Sequence, residues 1–288
     1  MRFTVACAQF APLKAEVGAN LDAIAAIVRQ CEAESVDLVL CPETSTSGYF
    51  LEGGVIEAAL SREELLSQLV TRLDGQLTRP IDIALGFYER ADGSLYNSAA
   101  YLELRPDGGT IRAVYRKFFL PTYGVFDEER FVSRGRDLTV FDTRFGRFAL
   151  LICEDIWHSV MPTLCAVRGA QVILVPAASP ARGFGGDQIE NHDRYERLFR
   201  AVGEEHSVYV LNAQLVGFEG GKGFIGGSML IGPDGTTVAK APLAEPNLLV
   251  AEVDLDRVTI ARAQSPLLND LQGAWEEVRR LVGQTDTI

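Results

Sequence analysis

The sequence predicts an α/β protein, a four-layer αββα sandwich of two similar α/β halves. Three observations carry that expectation. Strand-like and helix-like segments alternate along the chain. "DLVLCPETSTSGYF" (37–50) aligns without gaps on "QVILVPAASPARGF" (171–184), each an apolar strand, a proline (Pro42 or Pro176) and a polar loop ending in Phe50 or Phe184. Each half later carries the same hairpin turn, "RPDGGT" at 105–110 and "GPDGTT" at 232–237. Two matches in one order point to two similar sheets packed face to face, with helices outside.

Taken in order, "FTVACAQF" reads as a first strand, with Val5, Cys7 and Gln9 alternating with Ala6, Ala8 and Phe10. "NLDAIAAIVRQCEAE" sets Leu21, Ile24, Ala25, Val28 and Cys31 at helical spacing behind a cap-like Asn20. "VDLVLCPE" is a nearly continuous apolar run, as for a strand covered on both faces. A helix over about 62–73 precedes the strand "IDIALGFYE", and "SLYNSAAYLEL" and "TIRAVYRK" flank the first hairpin turn. The second half is expected to run through a strand ending at Cys153, a helix near 161–168 and another near 188–206. "SPLLNDLQGAWEEVRRLVGQ" (265–284) reads as a last helix bearing Leu268, Leu271, Trp275, Val278 and Leu281. No Ser/Gly-rich linker interrupts the chain, so residues 1–288 are expected to form a single domain with a C-terminal helical extension over about 265–288.

With 47% hydrophobic and 23% charged residues, the chain can bury a large core. A net charge of −12 without a basic stripe argues against nucleic acid or an anionic membrane surface as partner. No apolar run approaches the roughly 18 residues that span a bilayer. Five irregularly spaced cysteines do not form a disulfide framework. There is no CxxC, and the three histidines form no ligand pair, so no metal is expected. A reducing, cytoplasmic setting follows.

Two residues at strand ends call for explanation. Glu43 follows the strand-ending Pro42 where the aligned half has Ala177. A carboxylate there is costly unless paired or used, and strand ends are where α/β folds put ligands. Cys153 closes the run "FALLIC" and is followed at once by Glu154 and Asp155. Such a cysteine is more often core, the reading kept for Cys7, Cys31, Cys41 and Cys165. A sharp strand-to-helix turn can instead present it as a nucleophile. The two acids would raise its pKa, so its activating group must come from elsewhere. His158 is near in sequence, whereas His192 and His206 lie on a helical stripe with Tyr195 and Phe199 that suits packing. Lys117 offers another solution: it starts the aromatic-rich loop "KFFLPTYGVFDEERF", where a pocketed cation could hold an oxyanion.

"LCPETSTSGY", "YRKFFLP" and "LLICEDIW" together resemble the nitrilase superfamily of carbon–nitrogen hydrolases, over nearly the whole chain. That resemblance implies a nitrilase-like αββα fold and a catalytic Glu43–Lys117–Cys153 triad. Glu128 in "FDEERF" matches a further family glutamate that supports the lysine or the substrate. It implies a cysteine-dependent amidase releasing ammonia from a small carboxamide through a thioester, without cofactor. The backbone N–H of Glu154 would join Lys117 at the oxyanion, and Tyr123, Phe126 and Ser179 are candidate substrate contacts. N-carbamoyl-amide and nitrile hydrolysis are alternatives on the same residues. Within the superfamily, "FLPTYGVFDEERF", "ICEDIW" and "ASP" look most like the glutaminase domain of glutamine-dependent NAD synthetase. The chain ends at Ile288 without a synthetase domain, so synthetase activity is not expected, though a glutaminase subunit feeding a partner is a further alternative. A homodimer or larger homo-oligomer is implied, the C-terminal helix being one candidate interface. "GKGFIG" (221–226) satisfies G-x-G-x-x-G, but a hairpin rather than a helix follows, so it is read as a loop and not as a dinucleotide site.

Overall fold

The computed structural model describes residues 1–182, 184–185 and 188–284. Gly183 of the second repeat and the last four residues of the C-terminal extension lie outside the described residues. The first half comprises β1 (Arg2–Gln9), α1 (Val17–Ala33), β2 (Leu38–Leu40), α2 (Val55–Ala58), α3 (Arg62–Leu73), β3 (Ile81–Ala91), β4 (Ser94–Arg105) and β5 (Gly108–Arg116). The second comprises β6 (Val140–Asp142), β7 (Arg147–Leu150), α4 (Val160–Val167), β8 (Val172–Ala177), β9 (Phe184–Gly185), β10 (Gln188–Ile189), α5 (Glu190–His206) and β11 (Tyr209–Gln214). There follow β12 (Val216–Glu219), β13 (Lys222–Ile225), β14 (Met229–Ile231), β15 (Thr237–Lys240), β16 (Asn247–Asp254), α6 (Asp256–Gln264), α7 (Leu267–Gly273) and α8 (Trp275–Gly283).

The two main sheets run β16-β1-β2-β3-β4-β5 and β15-β14-β11-β8-β7-β6. In each, three parallel strands (β1-β2-β3 and β7-β8-β11) are flanked by an antiparallel pair on one side and a single antiparallel strand on the other. The repeat read in the sequence is thus a repeat of topology, with β2 matching β8. Val5, Cys7, Leu38, Leu40 and Tyr101 of one sheet pack against Phe148, Leu150, Val172 and Leu211 of the other in one central core. Leu21, Ile24, Leu65 and Leu69 from α1 and α3 cover the outer face of the first sheet, and Tyr195, Phe199 and Cys165 from α5 and α4 cover that of the second. This is the αββα sandwich the sequence predicts.

Several local expectations change. Helix α1 begins three residues before Asn20, which is not its cap. The Asn20 side chain instead exchanges hydrogen bonds with the Leu13 backbone and donates to the Thr46 carbonyl, strapping a loop to the helix. The single C-terminal helix is two, α7 and α8, broken at Ala274 after Gly273; Leu268 is buried whereas Leu281 is 55% exposed. "GKGFIG" contains strand β13, paired with β12 across the left-handed Gly220 and Gly221. With strands on both sides it has no helix to receive a phosphate. Among the described residues no helix is long and apolar enough to cross a membrane.

Candidate active site

The site forms where the C-terminal ends of β2 and β8 face each other between the sheets. Glu43 lies just beyond β2, fully buried. A Cβ on Gly86 would sit 2.6 Å from the Glu43 Cα and 2.4 Å from the Thr44 nitrogen, so only glycine lets β3 pass this close. Every Glu43 oxygen is engaged. Oε1 accepts from Lys117 Nζ at 2.7 Å and Asn97 Nδ2 at 2.8 Å, and Oε2 accepts from the Ala178 N–H at 2.9 Å. Ala178 follows β8, so the second repeat supplies a backbone donor to the carboxylate of the first.

Lys117 leaves the end of β5, and its backbone N–H is held by the Asn97 carbonyl at 2.8 Å. Its buried ammonium also donates to Glu128 Oε1 at 2.7 Å. Burial alone would pull the Lys117 pKa down, but the charges of Glu128 and Glu43 outweigh it and hold the pKa well above the ordinary value. Glu128 sits in a single turn, Glu128–Arg130, and its Oε1 also accepts the Tyr49 hydroxyl. Burial pushes the Glu128 carboxyl up to about 7 against the opposing pull of Lys117, and the neighbouring Glu43 adds to the rise. Among the described residues Glu128 Oε2 is buried without a hydrogen-bond partner.

Cys153 opens a 3₁₀ turn, Cys153–Trp157, directly after β7 and the buried Leu151 and Ile152. Its φ of 45° is left-handed, a conformation that costs a residue with a Cβ of order 1 kcal/mol or more. Asp155 holds the turn in that shape. One carboxylate oxygen accepts the Ile152 N–H at 3.0 Å and the Tyr115 hydroxyl at 2.8 Å, and the other accepts the Phe119 N–H at 2.8 Å. Burial raises the Asp155 carboxyl to about 6 despite these donors. The Cys153 sulfur lies 3.2 Å from the Tyr195 hydroxyl. Its pKa is pushed well above the usual thiol value, first by burial and then by Glu43, with Lys117 opposing. Among the acids, the distant Glu43 therefore raises the thiol pKa most, ahead of the adjacent Glu154 and Asp155.

Histidine supplies no partner to the sulfur among the described residues. His158 stacks on Phe119 at 3.6 Å, and His192 and His206 are buried on α5. Glu154 turns its carboxylate to the Tyr123 hydroxyl (2.9 and 3.1 Å), while its N–H stands in the first turn, where donors have no partner within the helix. Tyr123 is 48% exposed. Phe126 belongs to an aromatic group with Tyr49, Phe50 and Phe224. Ser179 is buried, its side chain beside the Tyr195 hydroxyl. A cavity of about 350 Å³ is lined by Tyr123, Trp157, Arg182, Glu190, Asn191 and Arg194, and none of Glu43, Lys117 and Cys153 lines it. Trp157 stands edge-on to Tyr195 at 4.7 Å, linking this cavity to Cys153. Among the described residues, no group of three or more histidines, cysteines or acids is placed to hold a metal ion.

Asn97, Tyr49, Tyr195 and the Ala178 N–H were not legible as site groups. Asn97 and Tyr195 sit in ordinary strand and helix patterns, and a backbone donor leaves no trace in residue identity. The alignment of 37–50 on 171–184 was the one available signal for Ala178, because it places the two loops as counterparts.

The carbon–nitrogen hydrolase family model matches residues 4–263, and the chain belongs to that family. The chain is 27% identical over 258 residues to a glutamine-dependent NAD(+) synthetase of Acinetobacter baylyi, covering 88% of this chain and 45% of that protein. It thus spans less than half the length of that relative. It is 26% identical over 270 residues to an N-carbamoylputrescine amidase of Solanum tuberosum, covering 90% and 88%. In structure it resembles a mutant amidase of Nesterenkonia sp. AN1 described with acrylamide added at the active-site cysteine. That likeness has a TM-score of 0.71 at 25% identity, covering 91% of this chain and 97% of that one.

Proposed function

We propose that this carbon–nitrogen hydrolase is an amidase that releases ammonia from a small carboxamide through a thioester on Cys153. The observation that carries the reading is the buried contact of Glu43 with Lys117, with Cys153 held in a strained turn beside them. A carboxylate has about four acceptor positions; three on Glu43 are taken, which leaves one for the thiol proton. Glu43 takes that proton as the sulfur bonds to the amide carbon. Lys117 and the Glu154 N–H hold the oxygen that becomes negative. Collapse breaks the C–N bond, and Glu43 returns the proton so that ammonia leaves. Glu43 then takes a proton from water, whose oxygen attacks the thioester; the acid departs and the thiol is restored.

The test is ammonia release over a panel of amides by the parent, Cys153→Ala and Glu43→Gln proteins. Turnover retained in either variant sinks the assignment. N-carbamoyl amides and nitriles in the same panel separate the alternative chemistries by their products, and the mass of the adduct on Cys153 after incubation with a metabolite pool identifies the acyl half. The likeness to glutamine-dependent NAD synthetases favours a second reading, a glutaminase that passes ammonia to a partner. Glutamine hydrolysis appearing only with a synthetase-like partner would select it.

A further inference from the structure

Hairpin β12–β13 carries a buried acid that takes no part in the chemistry above. Glu219, the last residue of β12, points its carboxylate at the loop that follows β2. Its Oε2 accepts the Tyr49 N–H at 2.8 Å and the Phe50 N–H at 2.9 Å, while Oε1 is buried without a hydrogen-bond partner among the described residues. From the other side the Tyr88 hydroxyl donates to the Tyr49 carbonyl at 2.7 Å. The Tyr49 backbone is therefore gripped at both its donor and its acceptor. Gly48 makes room for this: its φ is +79°, and a Cβ there would lie 2.9 Å from Glu219 Oε1. The Tyr49 side chain then reaches into the site and donates to Glu128 Oε1, the same oxygen that receives Lys117 Nζ.

We propose that Glu219 is a positioning residue of the active site: it fixes Tyr49, and through Tyr49 the Glu128 carboxylate that holds Lys117. Without an acceptor at 219, two buried N–H groups lose their partner, and the loop must move to regain one. A displacement of about 1 Å far from the reacting atoms can cost up to roughly 100-fold in rate, and this one passes directly to the Lys117 anchor. A single oxygen serves both donors, so a neutral carboxamide oxygen can replace it.

The role of Glu219 rests on the amidase reading only for its turnover assay, so two measurements are needed. The first is kcat/KM on an amide the parent hydrolyses. Glu219→Ala is expected to lower it about 10- to 100-fold, and Glu219→Gln to recover most of that loss. In a Tyr49→Phe background Glu219→Ala should cost little more, because the link it acts through is already cut. The second needs no substrate: the rate of Cys153 alkylation by iodoacetamide, followed by peptide mass, should change in the same variants and in the same order. A Glu219→Ala protein equal to the parent in both, or penalties of Glu219→Ala and Tyr49→Phe that multiply independently, would overturn the proposal. If Glu219→Ala does not fold, Glu219→Asp, which withdraws the acceptor by one methylene, is read in its place. Should no amide be hydrolysed, the amidase reading fails, and the alkylation series alone decides the role of Glu219.

Discussion

Glu43 and Lys117 meet 2.7 Å apart in full burial, from positions 74 residues apart in the chain. The same ammonium lies 2.7 Å from Glu128, so one cation stands between two carboxylates. Removing one partner of a buried charged group costs about 3–5 kcal/mol, because the other is left uncompensated. Lys117→Met is expected to lose stability on that scale in denaturant titration and to lose turnover entirely. A variant as stable as the parent would show that the carboxylates do not depend on the lysine.

Glu128 links pH to both activity and stability, in opposite directions. Its pKa is raised from 4.5 to about 7, so the folded protein keeps a proton that the unfolded chain releases. The stability from this group is complete below the unfolded pKa and is lost as pH rises through about 7. In the proposed reading Glu128 holds Lys117 in its charged form, so kcat/KM should climb across that same window. Glu128→Gln should abolish the climb and flatten this part of the stability profile. An acid limb below pH 5 in the parent would contradict it.

Asn97 gives Glu43 a hydrogen bond of 2.8 Å, and its own Oδ1 has no partner. Asn97→Leu thus removes a donor to Glu43 and, among the described residues, leaves no donor that Oδ1 had served without its acceptor. We expect a stability change of about 1 kcal/mol with a fall in kcat/KM of roughly 10-fold, of the size a lost positioning contact produces. Asn97→Asp sets a second negative charge beside Glu43 and should be worse in both. Equal kinetics for the two variants would count against a role for this donor.

Asp155 accepts from three donors, on the Ile152 and Phe119 backbones and on Tyr115. An asparagine would turn its NH₂ toward at least one of them. Asp155→Asn is expected to cost about 1–3 kcal/mol in thermal or denaturant unfolding and to slow Cys153 alkylation as the left-handed turn relaxes. Unchanged alkylation would mean that the turn holds its shape without this brace.

The sandwich was legible because its cause is local and repeated. An apolar run with proline at its end forms a buried strand wherever it occurs, and its recurrence at 37–50 and 171–184 shows that the chain does this twice. What the pattern did not show is that β16, from the far end of the chain, completes the first sheet beside β1. Period-2 alternation marks a strand but does not name its neighbour.

The site divides in the same way. Glu43 stood out as a carboxylate at a strand end, where it is costly unless paired or used, whereas Lys117 and Cys153 were joined to it only by the resemblance of their motifs to the nitrilase superfamily. Asn97, Tyr49, Tyr195 and Glu219 were not legible, since their residue types are unremarkable in their local patterns. The acids following Cys153 show the difference most directly. From sequence they were the nearest charges to the thiol, yet folding turns Glu154 toward Tyr123 and Asp155 toward backbone donors, and brings Glu43 to the sulfur instead. By itself the sequence determined the layers, the repeat and the residue types able to do the chemistry, all properties of short stretches of chain. Which charges face one another was decided only by the tertiary structure, by strand order within the first sheet for Glu43 and Lys117 and by the packing of the two sheets for Cys153, because electrostatic and hydrogen-bonding forces act through distance in space and not along the chain.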